Sequence, residues 1–241
     1  MSQIKVEYVN HCGDDLSVVN AARVSFNKTS EYKREDGHKE LLPNDYTNPF
    51  SDTLQERDVK LINYLASHKH YSPFNHSFIS VRVKAPVFVA RQLVKHKFMP
   101  WNEVSRRYVK DEPEFYEPKV WRKSAENVKQ GSSSEPISEG DSFYNPHARI
   151  KNKLSNLVKE SVELYNEILD EGGCAEQARM ALPQNMMTTW VWSGTLGAFC
   201  DMLKLRLDPH TQYETRLVAQ EVSKIVKELF PVSYKALVGE E

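Results

Sequence analysis

The sequence predicts an α+β fold, in which helices flank a sheet, and three features of the chain indicate it. Apolar residues recur at helical spacing in several segments, the first of which carries Leu16, Val19 and Ala22 after an aspartate that can cap the helix. Segments 77–84 and 185–194 have the alternating or aromatic-rich pattern of strands instead. The glycine-rich turn that opens a Rossmann domain is missing from the sequence, so no domain of that type is expected.

Further helices are expected between residues 53 and 98. Thr53 and Glu56 have the spacing of a capping box, which predicts a helix that begins just after them. Pro86 fits the first turn of the next helix, where its missing N–H has no cost. In that helix we expect Val87, Ala90 and Val94 to share the apolar face, with polar residues beside them that reach as far as His96.

The second half of the chain is predicted to be mainly helical. A long amphipathic helix has Ile150, Leu164 and Ile168 in register, and Gly172-Gly173 ends it. A short helix over 175–182, the aromatic strand, a helix that ends in Lys-Leu-Arg-Leu and a last amphipathic helix follow. Trp190 and Trp192 alternate on the strand, which favours the core over a platform for a cofactor.

Two polar stretches interrupt this pattern, near residues 27–52 and 122–146. The first carries two prolines and the second is rich in Ser, Glu and Gly, and neither has a hydrophobic period. We expect the first to be a long loop and the second a mobile excursion. The whole chain, 1–241, is therefore predicted to be a single domain with two insertions.

Composition excludes several functional classes. Hydrophobic residues make up 40% and charged residues 27% of the 241 residues, as in ordinary globular proteins. The net charge is -1, from 32 basic and 33 acidic side chains, so no global field is available to hold a nucleic acid. No apolar run approaches the roughly 18 residues that a membrane helix needs.

The cysteines and the N-terminus indicate the cytoplasm. The first ten residues lack the apolar segment of a signal peptide. Cys12, Cys174 and Cys200 are isolated and have no zinc or redox spacing, which is typical of a reducing compartment. We expect them to be small buried residues, with a catalytic thiol as the less favoured alternative.

The densest group of chemically active residues is segment 95–108, which reads KHKFMPWNEVSRRY. Its cations, its serine and its turn could bind phosphate oxygens, but Glu103 does not suit a pure phosphate site. A mixed array of this kind suits a nucleotide, which has a phosphate, sugar hydroxyls and a base. A solvated charged face is the alternative, although Phe98 and Trp101 are unusual for one.

This segment resembles the signature of the flavin-dependent thymidylate synthases, which is Arg-His-Arg, two residues, Ser, one residue, Asn-Glu, one residue, Ser, one residue, Arg-Tyr. The residues that match in type are His96, Asn102, Glu103, Ser105, Arg107 and Tyr108. Lys95 and Lys97 keep only the charge, and Pro100 stands where the signature has serine. Flanking segments are also similar to that family, namely 13–26, 56–76, 83–92, 114–118, 175–183 and 204–216.

The resemblance implies a fold, a reaction and an assembly. The fold is an α+β domain with a mostly antiparallel sheet flanked by helices. The reaction is the reductive methylation of dUMP to dTMP, with methylenetetrahydrofolate as carbon donor and FAD, reduced by NADPH, as hydride source. The assembly is a homotetramer with shared active sites, and neither a membrane nor a specific nucleic-acid partner is expected.

The resemblance also assigns residues to ligands. Arg206 matches the arginine that activates the uracil ring, and His70 matches a histidine beside the flavin; these two are the expected catalytic residues. The residues expected to bind dUMP are Gln92, Leu93, Val94, Lys95, Glu103, Val104, Ser105, Arg106, Arg107, Arg179 and Arg206. Those expected to contact FAD are Ser72, Asn75, Lys95, His96, Lys97, Glu103, Thr195, Gly197, Asp201 and His210.

Several of these assignments have simpler alternatives. Asn75, Thr195, Gly197 and Asp201 depart from the residues most common at those positions. His210 could serve only as a cap near the last helix, and Arg206 could serve only as a helix C-terminal charge. The spacing of the histidines fits no common zinc pattern, so no metal is expected.

Two other functions stay open on the sequence. The lysine and proline substitutions in the signature leave room for a nucleotide- or RNA-binding relative without catalytic activity. A flavoenzyme that adds another one-carbon group to a pyrimidine nucleotide would carry much the same residues. A flavin absorbance band would exclude the first of these, and product analysis would be needed for the second.

Overall fold

A computed structural model describes residues 2–33, 53–109, 111–126, 132–137 and 145–239. The strands are β1 (Lys5–Cys12), β2 (Phe78–Pro86), β3 (Trp101–Glu103), β4 (Arg122–Ser124), β5 (Ser132–Pro136) and β6 (Met187–Thr195). The helices are α1 (Asp15–Arg23), α2 (Glu56–Ser67), α3 (Val87–Leu93), α4 (Pro146–Asp170), α5 (Ala175–Ala178), α6 (Leu196–Arg206), α7 (Tyr213–Leu229) and α8 (Pro231–Leu237).

The main sheet has the order β1-β2-β6-β3, and all of its pairs are antiparallel, so the predicted fold class is confirmed. Val81 pairs with Trp192 and Val83 with Trp190, which places these side chains on one face of the sheet. All four are buried there, as the strand pattern predicted. Helices α3, α6 and α7 belong to the same core, and α3 and α7 contact the sheet directly.

Strand β1 was not predicted, because it carries little hydrophobic signal. It lies at one edge of the sheet and nearly all of its side chains are exposed. The two ends of the chain meet close by. The backbone N–H groups of Val232 and Ser233 donate to the Asp15 carboxylate, at 2.8 and 2.9 Å, across the first turn of α8. Burial raises the pKa of Asp15, and the two bonds from α8 partly oppose this effect.

The predicted N-terminal cap is confirmed for the first helix and wrong for the second. Asp14 caps α1, and its side chain accepts a hydrogen bond from Ser17 N at 2.7 Å, as expected. The capping box of Thr53 and Glu56 is wrong, because Gln55 precedes α2 without any side-chain bond. Glu56 is the first residue of the helix and not its third, so its carboxylate is in the wrong place for that motif.

Helix α3 is shorter than predicted. It begins after Pro86 and ends at Leu93. Val89, Ala90 and Leu93 form its buried face, so the predicted apolar face is confirmed for Ala90 and wrong for Val94, which is exposed. The helical spacing that was expected to continue to His96 stops one turn earlier, and residues 94–98 form a turn. Phe98 has a φ of 61°, which turns the chain toward β3.

The two predicted insertions are only partly described. Of the first, residues 34–52 lie outside the described residues; Lys33 and Thr53, on either side, form an antiparallel bridge. The second, near 122–146, was expected to be a mobile excursion; its described parts include β4 and β5, which pair with each other, so it contains regular structure that its composition did not predict. Arg122 also forms an ion pair with the buried Glu214 of α7, at 2.9 Å, which fixes this small sheet to the domain.

Candidate active site

The site begins where α6 ends against the turn after α3. Arg206 is the last residue of α6, and its Nε donates a hydrogen bond to His96 Nε2 at 3.0 Å. The turn brings His96 to this position, because its own N–H donates to the carbonyl of Leu93 at 3.1 Å. Two residues 110 positions apart in sequence thereby become one structural unit.

The electrostatics of this pair keep His96 neutral. Burial, together with the adjacent positive charge of Arg206, lowers the pKa of His96 to about 4. Burial also lowers the pKa of Arg206, which as an arginine still remains charged. A neutral imidazole that accepts at Nε2 carries its proton on Nδ1. Among the described residues no other acceptor binds the guanidinium, so its two terminal nitrogens are available to a ligand.

Glu103 lies on β3, and its carboxylate is held on both sides. Thr188 Oγ1 donates to Glu103 Oε1 at 2.8 Å, and Trp101 Nε1 donates to Oε2 at 3.0 Å. The Trp101 ring is itself stacked on the buried Trp190, with 4.4 Å between centroids. The acidic group that seemed out of place among the cations is therefore a fixed hydrogen-bond acceptor.

The turn after β3 groups the serine and the arginines of the signature. It is fastened to the sheet by a hydrogen bond from Val104 N to the Thr189 carbonyl, at 2.9 Å. Arg107 Nε donates to Ser105 Oγ at 3.2 Å, and the Arg107 guanidinium lies 5.0 Å from the centroid of the Tyr108 ring.

Other cations of the segment are arranged around this turn. Arg106 donates instead to the backbone carbonyl of Asp111. Lys95 and Lys97 are exposed, and neither has a carboxylate within salt-bridge distance in the part of the chain that the structure describes. The segment therefore presents an open group of hydrogen-bond donors with positive charge, as an anion requires.

Gln92 connects the site to α7. The hydroxyl of Thr215, which is fully buried, donates to Gln92 Oε1 and leaves the amide nitrogen of Gln92 as a donor. The neighbouring Leu93 has a buried side chain, so only its backbone could contact a nucleotide. Val94 is exposed and lies at the C-cap of α3.

A second cluster lies at the start of α6. Thr195 Oγ1 donates to Asn75 Oδ1 at 2.8 Å and also accepts from Ala198 N at 3.2 Å as the helix cap. Gly197 lies beneath the same amide, where a Cβ would be 2.6 Å from Asn75 Oδ1. Asn75 closes a short 3-10 turn that begins at Ser72. Three of the residues expected near FAD are thus in mutual contact.

The remaining predicted site residues have only local partners within the described residues. His70 is exposed, and its ring centroid is 6.1 Å from that of Tyr64. No hydrogen bond or ring contact among the described residues connects it to Arg206. Arg179 Nε donates to the Glu176 carbonyl at 3.2 Å. Asp201 lies 3.5 Å from Lys204, and His210 lies 3.0 Å from Asp208.

The three cysteines differ in their surroundings. Cys200 is buried in the core, and burial raises the pKa of its thiol to about 12. Cys12 and Cys174 are exposed, so the expectation that all three are buried was wrong for these two. In the described ranges no group of three or more His, Cys, Asp or Glu side chains could hold a metal ion.

Three residues that support the site were not identified from the sequence as its parts. Thr188 and Trp101 hold Glu103, and Thr215 holds Gln92. No signal was available for the threonines, because the pairing of β3 with β6 and the contact of α7 with α3 depend on the tertiary fold. Trp101 was noted only as an unusual apolar residue in a charged segment.

Comparisons with known proteins show the family to which the chain belongs. Residues 7–232 match the family described as Thymidylate synthase complementing protein. A flavin-dependent thymidylate synthase from Thermotoga neapolitana is 35% identical over 233 residues, which are 97% of this chain and 90% of that protein. One from Thermus thermophilus is 35% identical over 231 residues, or 96% of this chain and 74% of that protein.

The fold is also similar to that of a solved structure over nearly the whole chain. The crystal structure of the UMP/dUMP methylase PolB from Streptomyces cacaoi, bound with 5-Br dUMP, is similar at a TM-score of 0.77 and 28% identity. The alignment covers 98% of this chain and 94% of that one. No helix in the described ranges is long and apolar enough to cross a membrane. On these matches the chain belongs to the thymidylate synthase complementing protein family, and over nearly all of its length it is related to flavin-dependent thymidylate synthases.

Proposed function

We propose that this protein methylates dUMP at C5 of the uracil ring and forms dTMP. Two kinds of similarity support the proposal: the curated relatives are named flavin-dependent thymidylate synthases, and a structural neighbour is a dUMP methylase. The observation that carries it is the Arg206–His96 pair, because it supplies a fixed cation beside the signature segment.

The Arg206–His96 pair meets the main chemical requirement of the reaction. C5 of uracil is a poor nucleophile unless electron density is pushed into the ring. An oriented guanidinium stabilises the negative charge that develops as the ring loses its N3 proton, and it requires no reorganisation at that moment. His96 accepts a hydrogen bond from Arg206 Nε, which leaves the terminal nitrogens of Arg206 to contact the pyrimidine when dUMP is bound. The alternative, attack of a thiolate at C6, is not suited to Cys200, because this thiol is buried and burial raises its pKa to about 12.

The phosphate of dUMP would be bound by the turn after β3. Ser105 and Arg107 already form one hydrogen-bonded unit with exposed donors, and Arg106 could exchange its backbone carbonyl partner for a phosphate oxygen. Glu103 would accept a hydrogen bond from a sugar hydroxyl or a ring N–H, since both of its oxygens are already oriented. The amide nitrogen of Gln92 would donate to the nucleotide.

The residues assigned to FAD fit an anionic cofactor. Lys95 and Lys97 offer exposed positive charge, and the lack of a side chain at Gly197 leaves room for the Asn75 amide at the start of α6. Ser72, Asn75, His96, Thr195, Asp201 and His210 would complete the set, with His70 beside the flavin. When bound, FAD reduced by NADPH supplies the hydride, and methylenetetrahydrofolate supplies the carbon.

A homotetramer with shared active sites would explain several exposed side chains. Within the described protomer Tyr165 is the one buried residue of the 25-residue helix α4, while Leu157 and Leu164 are about half exposed. Phe98 in the signature segment is 89% exposed. Association of copies would bury these groups, and it would bring Arg179 and His70 toward sites whose other residues belong to a neighbouring copy.

The proposal is tested by a reconstituted reaction. The purified protein is incubated with dUMP, methylenetetrahydrofolate, FAD and NADPH, and dTMP is measured by chromatography. We expect dTMP only in the complete mixture and a flavin absorbance band in the protein. A colourless protein that binds dUMP without turnover would favour the non-catalytic nucleotide-binding alternative. A product other than dTMP would favour transfer of a different one-carbon group.

A second candidate substrate is UMP, because the structural neighbour is described as a UMP/dUMP methylase and its structure has also been solved with 5-Br UMP. Parallel assays with UMP and dUMP at equal concentrations, with kcat/KM for each, decide between them. We expect dUMP to be preferred, since the curated relatives are thymidylate synthases. A larger kcat/KM for UMP would reverse the assignment.

A further inference from the structure

The contacts within the cluster at the start of α6 determine which hydrogen-bonding groups the cluster can present to a ligand. Asn75, Thr195 and Gly197 contact one another, although Asn75 and Thr195 are 120 positions apart. Residues in direct contact can act as one unit, so their effect on a ligand should be considered together.

Hydrogen bonding at Thr195 determines how the amide of Asn75 is oriented. The Thr195 hydroxyl oxygen accepts from Ala198 N, and its proton requires an acceptor. Asn75 Oδ1, at 2.8 Å, is that acceptor. If the amide were flipped, an N–H group would face the hydroxyl proton, which is repulsive. The Asn75 side chain is exposed, so its Nδ2 group, a pure donor, remains available on the opposite side.

Gly197 makes this arrangement possible. A Cβ at position 197 would lie 2.6 Å from Asn75 Oδ1, closer than any stable contact. The oxygen is at the end of a side chain, so a larger residue would displace the amide from Thr195 without disturbing the backbone. Gly197 is buried in a helix, where glycine is less favourable than alanine. Its presence is therefore explained by the position of the amide and not by helix stability.

We propose that Asn75 is a specificity-determining residue, an orientation-locked hydrogen-bond donor that binds an acceptor oxygen of the flavin cofactor. Thr195 and Gly197 are its positioning residues: the first fixes the direction of the amide, and the second leaves room for it. This inference rests on the proposed function, because it requires that FAD bind at the start of α6. The recognised group is a carbonyl or a phosphate oxygen, which only a donor can bind.

The test compares Asn75→Asp with Asn75→Ala. Aspartate keeps the shape and the acceptor for Thr195, but it replaces the donor by a second, negatively charged oxygen. Dissociation constants for FAD are measured by flavin fluorescence in protein stripped of cofactor. We expect Asn75→Ala to weaken FAD binding about 3- to 10-fold, the loss of one hydrogen bond. Asn75→Asp should weaken it further, because the acceptor atoms repel each other.

Gly197→Ala separates positioning from folding. Alanine should leave the melting temperature unchanged or raise it, and it should weaken FAD binding about as much as Asn75→Ala does. The Asn75→Ala, Gly197→Ala double variant should bind FAD no more weakly than either single variant, since both remove the same contact. Thr195→Ser keeps the hydroxyl and serves as the matched control, with affinity close to that of the parent.

The outcomes separate this inference from the proposed function. If the parent binds FAD and Asn75→Asp binds it as tightly as the parent, Asn75 is not a donor and the inference is wrong. Additive losses in the double variant would contradict the positioning role of Gly197. If the parent binds no FAD at all, the proposed function fails, and this inference fails with it. Affinity for dUMP, measured in the same variants by calorimetry, should not change.

Discussion

The two sides of the candidate site hold their positive charges in different surroundings. At the end of α6, Arg206 is partly buried and its Nε is bound to His96. In the segment after α3, Lys95 and Lys97 are exposed and have no carboxylate partner among the described residues. A fixed, desolvated cation acts on charge that develops during a reaction, whereas exposed cations act on binding and are screened by salt.

The largest effect is expected from Arg206→Lys. Lysine keeps the charge but has neither the planar fork nor an Nε donor for His96, so the cation loses its fixed position. We expect kcat to fall about 100-fold or more, as when one preorganised donor is removed from an active site. The flavin spectrum should be retained. A variant with near-parental kcat would show that the orientation of Arg206 does not matter.

The phosphate contacts should give the next largest effect. The exposed donors around Ser105 and Arg107 are best explained by a phosphate, and charge-assisted hydrogen bonds contribute roughly 1.5–3 kcal/mol each. Deoxyuridine should therefore bind at least about 10-fold more weakly than dUMP. Calorimetric titrations of both ligands, repeated with Arg107→Ala, measure the difference. Equal affinities for nucleotide and nucleoside would remove the phosphate assignment.

His96 gives an effect that depends on pH. Its pKa in the folded protein, about 4, is below the ordinary value of 6.5, so the unfolded chain binds a proton first as pH falls. The contribution of His96 to stability is present above pH 6.5 and is lost as pH falls from about 6.5 to about 4. Thermal melts over this range should show the loss in the parent.

The matched variants of His96 are Gln and Ala. Glutamine cannot titrate but can place an acceptor near the former Nε2, so it should flatten the pH dependence and keep much of kcat. Alanine should flatten it equally and lose kcat, because Arg206 is then unsupported. If the two variants have the same kcat, the bond from Arg206 to His96 has no part in turnover.

The smallest effect is expected from Lys95→Arg combined with Lys97→Arg. The double variant restores the arginines of the family signature, and their forks can contact two oxygens at once. We expect dUMP and FAD to bind at least as tightly as in the parent, with a smaller loss of affinity between low and moderate salt. Dissociation constants for both ligands at two salt concentrations check this. Loss of FAD from a folded double variant would show that the lysines are required for their shape.

The parts of the fold that depend on local pattern were predictable. The buried faces of β2 and β6, the Asp14 cap and the stop at Gly172 agree with spacing and residue type. Strand β1 was missed because an exposed edge strand has no hydrophobic alternation. The end of α3 was placed one turn too late, since the residues after it fit a helix as well as they fit the turn that tertiary contacts impose.

The candidate site was also predictable only in part. The signature identified the segment, its charges and its nucleotide character, because those depend on residues close together in sequence. The partners that orient them are distant: Arg206 for His96, Thr188 for Glu103 and Thr195 for Asn75. Pairing of the sheet and packing of α6 bring these groups together, and a single sequence does not report such contacts.

The most direct test of the proposed mechanism is the acidity of the bound uracil. In this mechanism Arg206, oriented by His96, stabilises the ring as N3 loses its proton. Ultraviolet difference spectra of the dUMP complex over a pH series report the ionisation of N3–H in the parent and in Arg206→Lys. We expect the pKa of bound dUMP to lie well below that of free dUMP in the parent, and to return toward the free value in the variant. The same pKa for bound and free dUMP in the parent would contradict the mechanism.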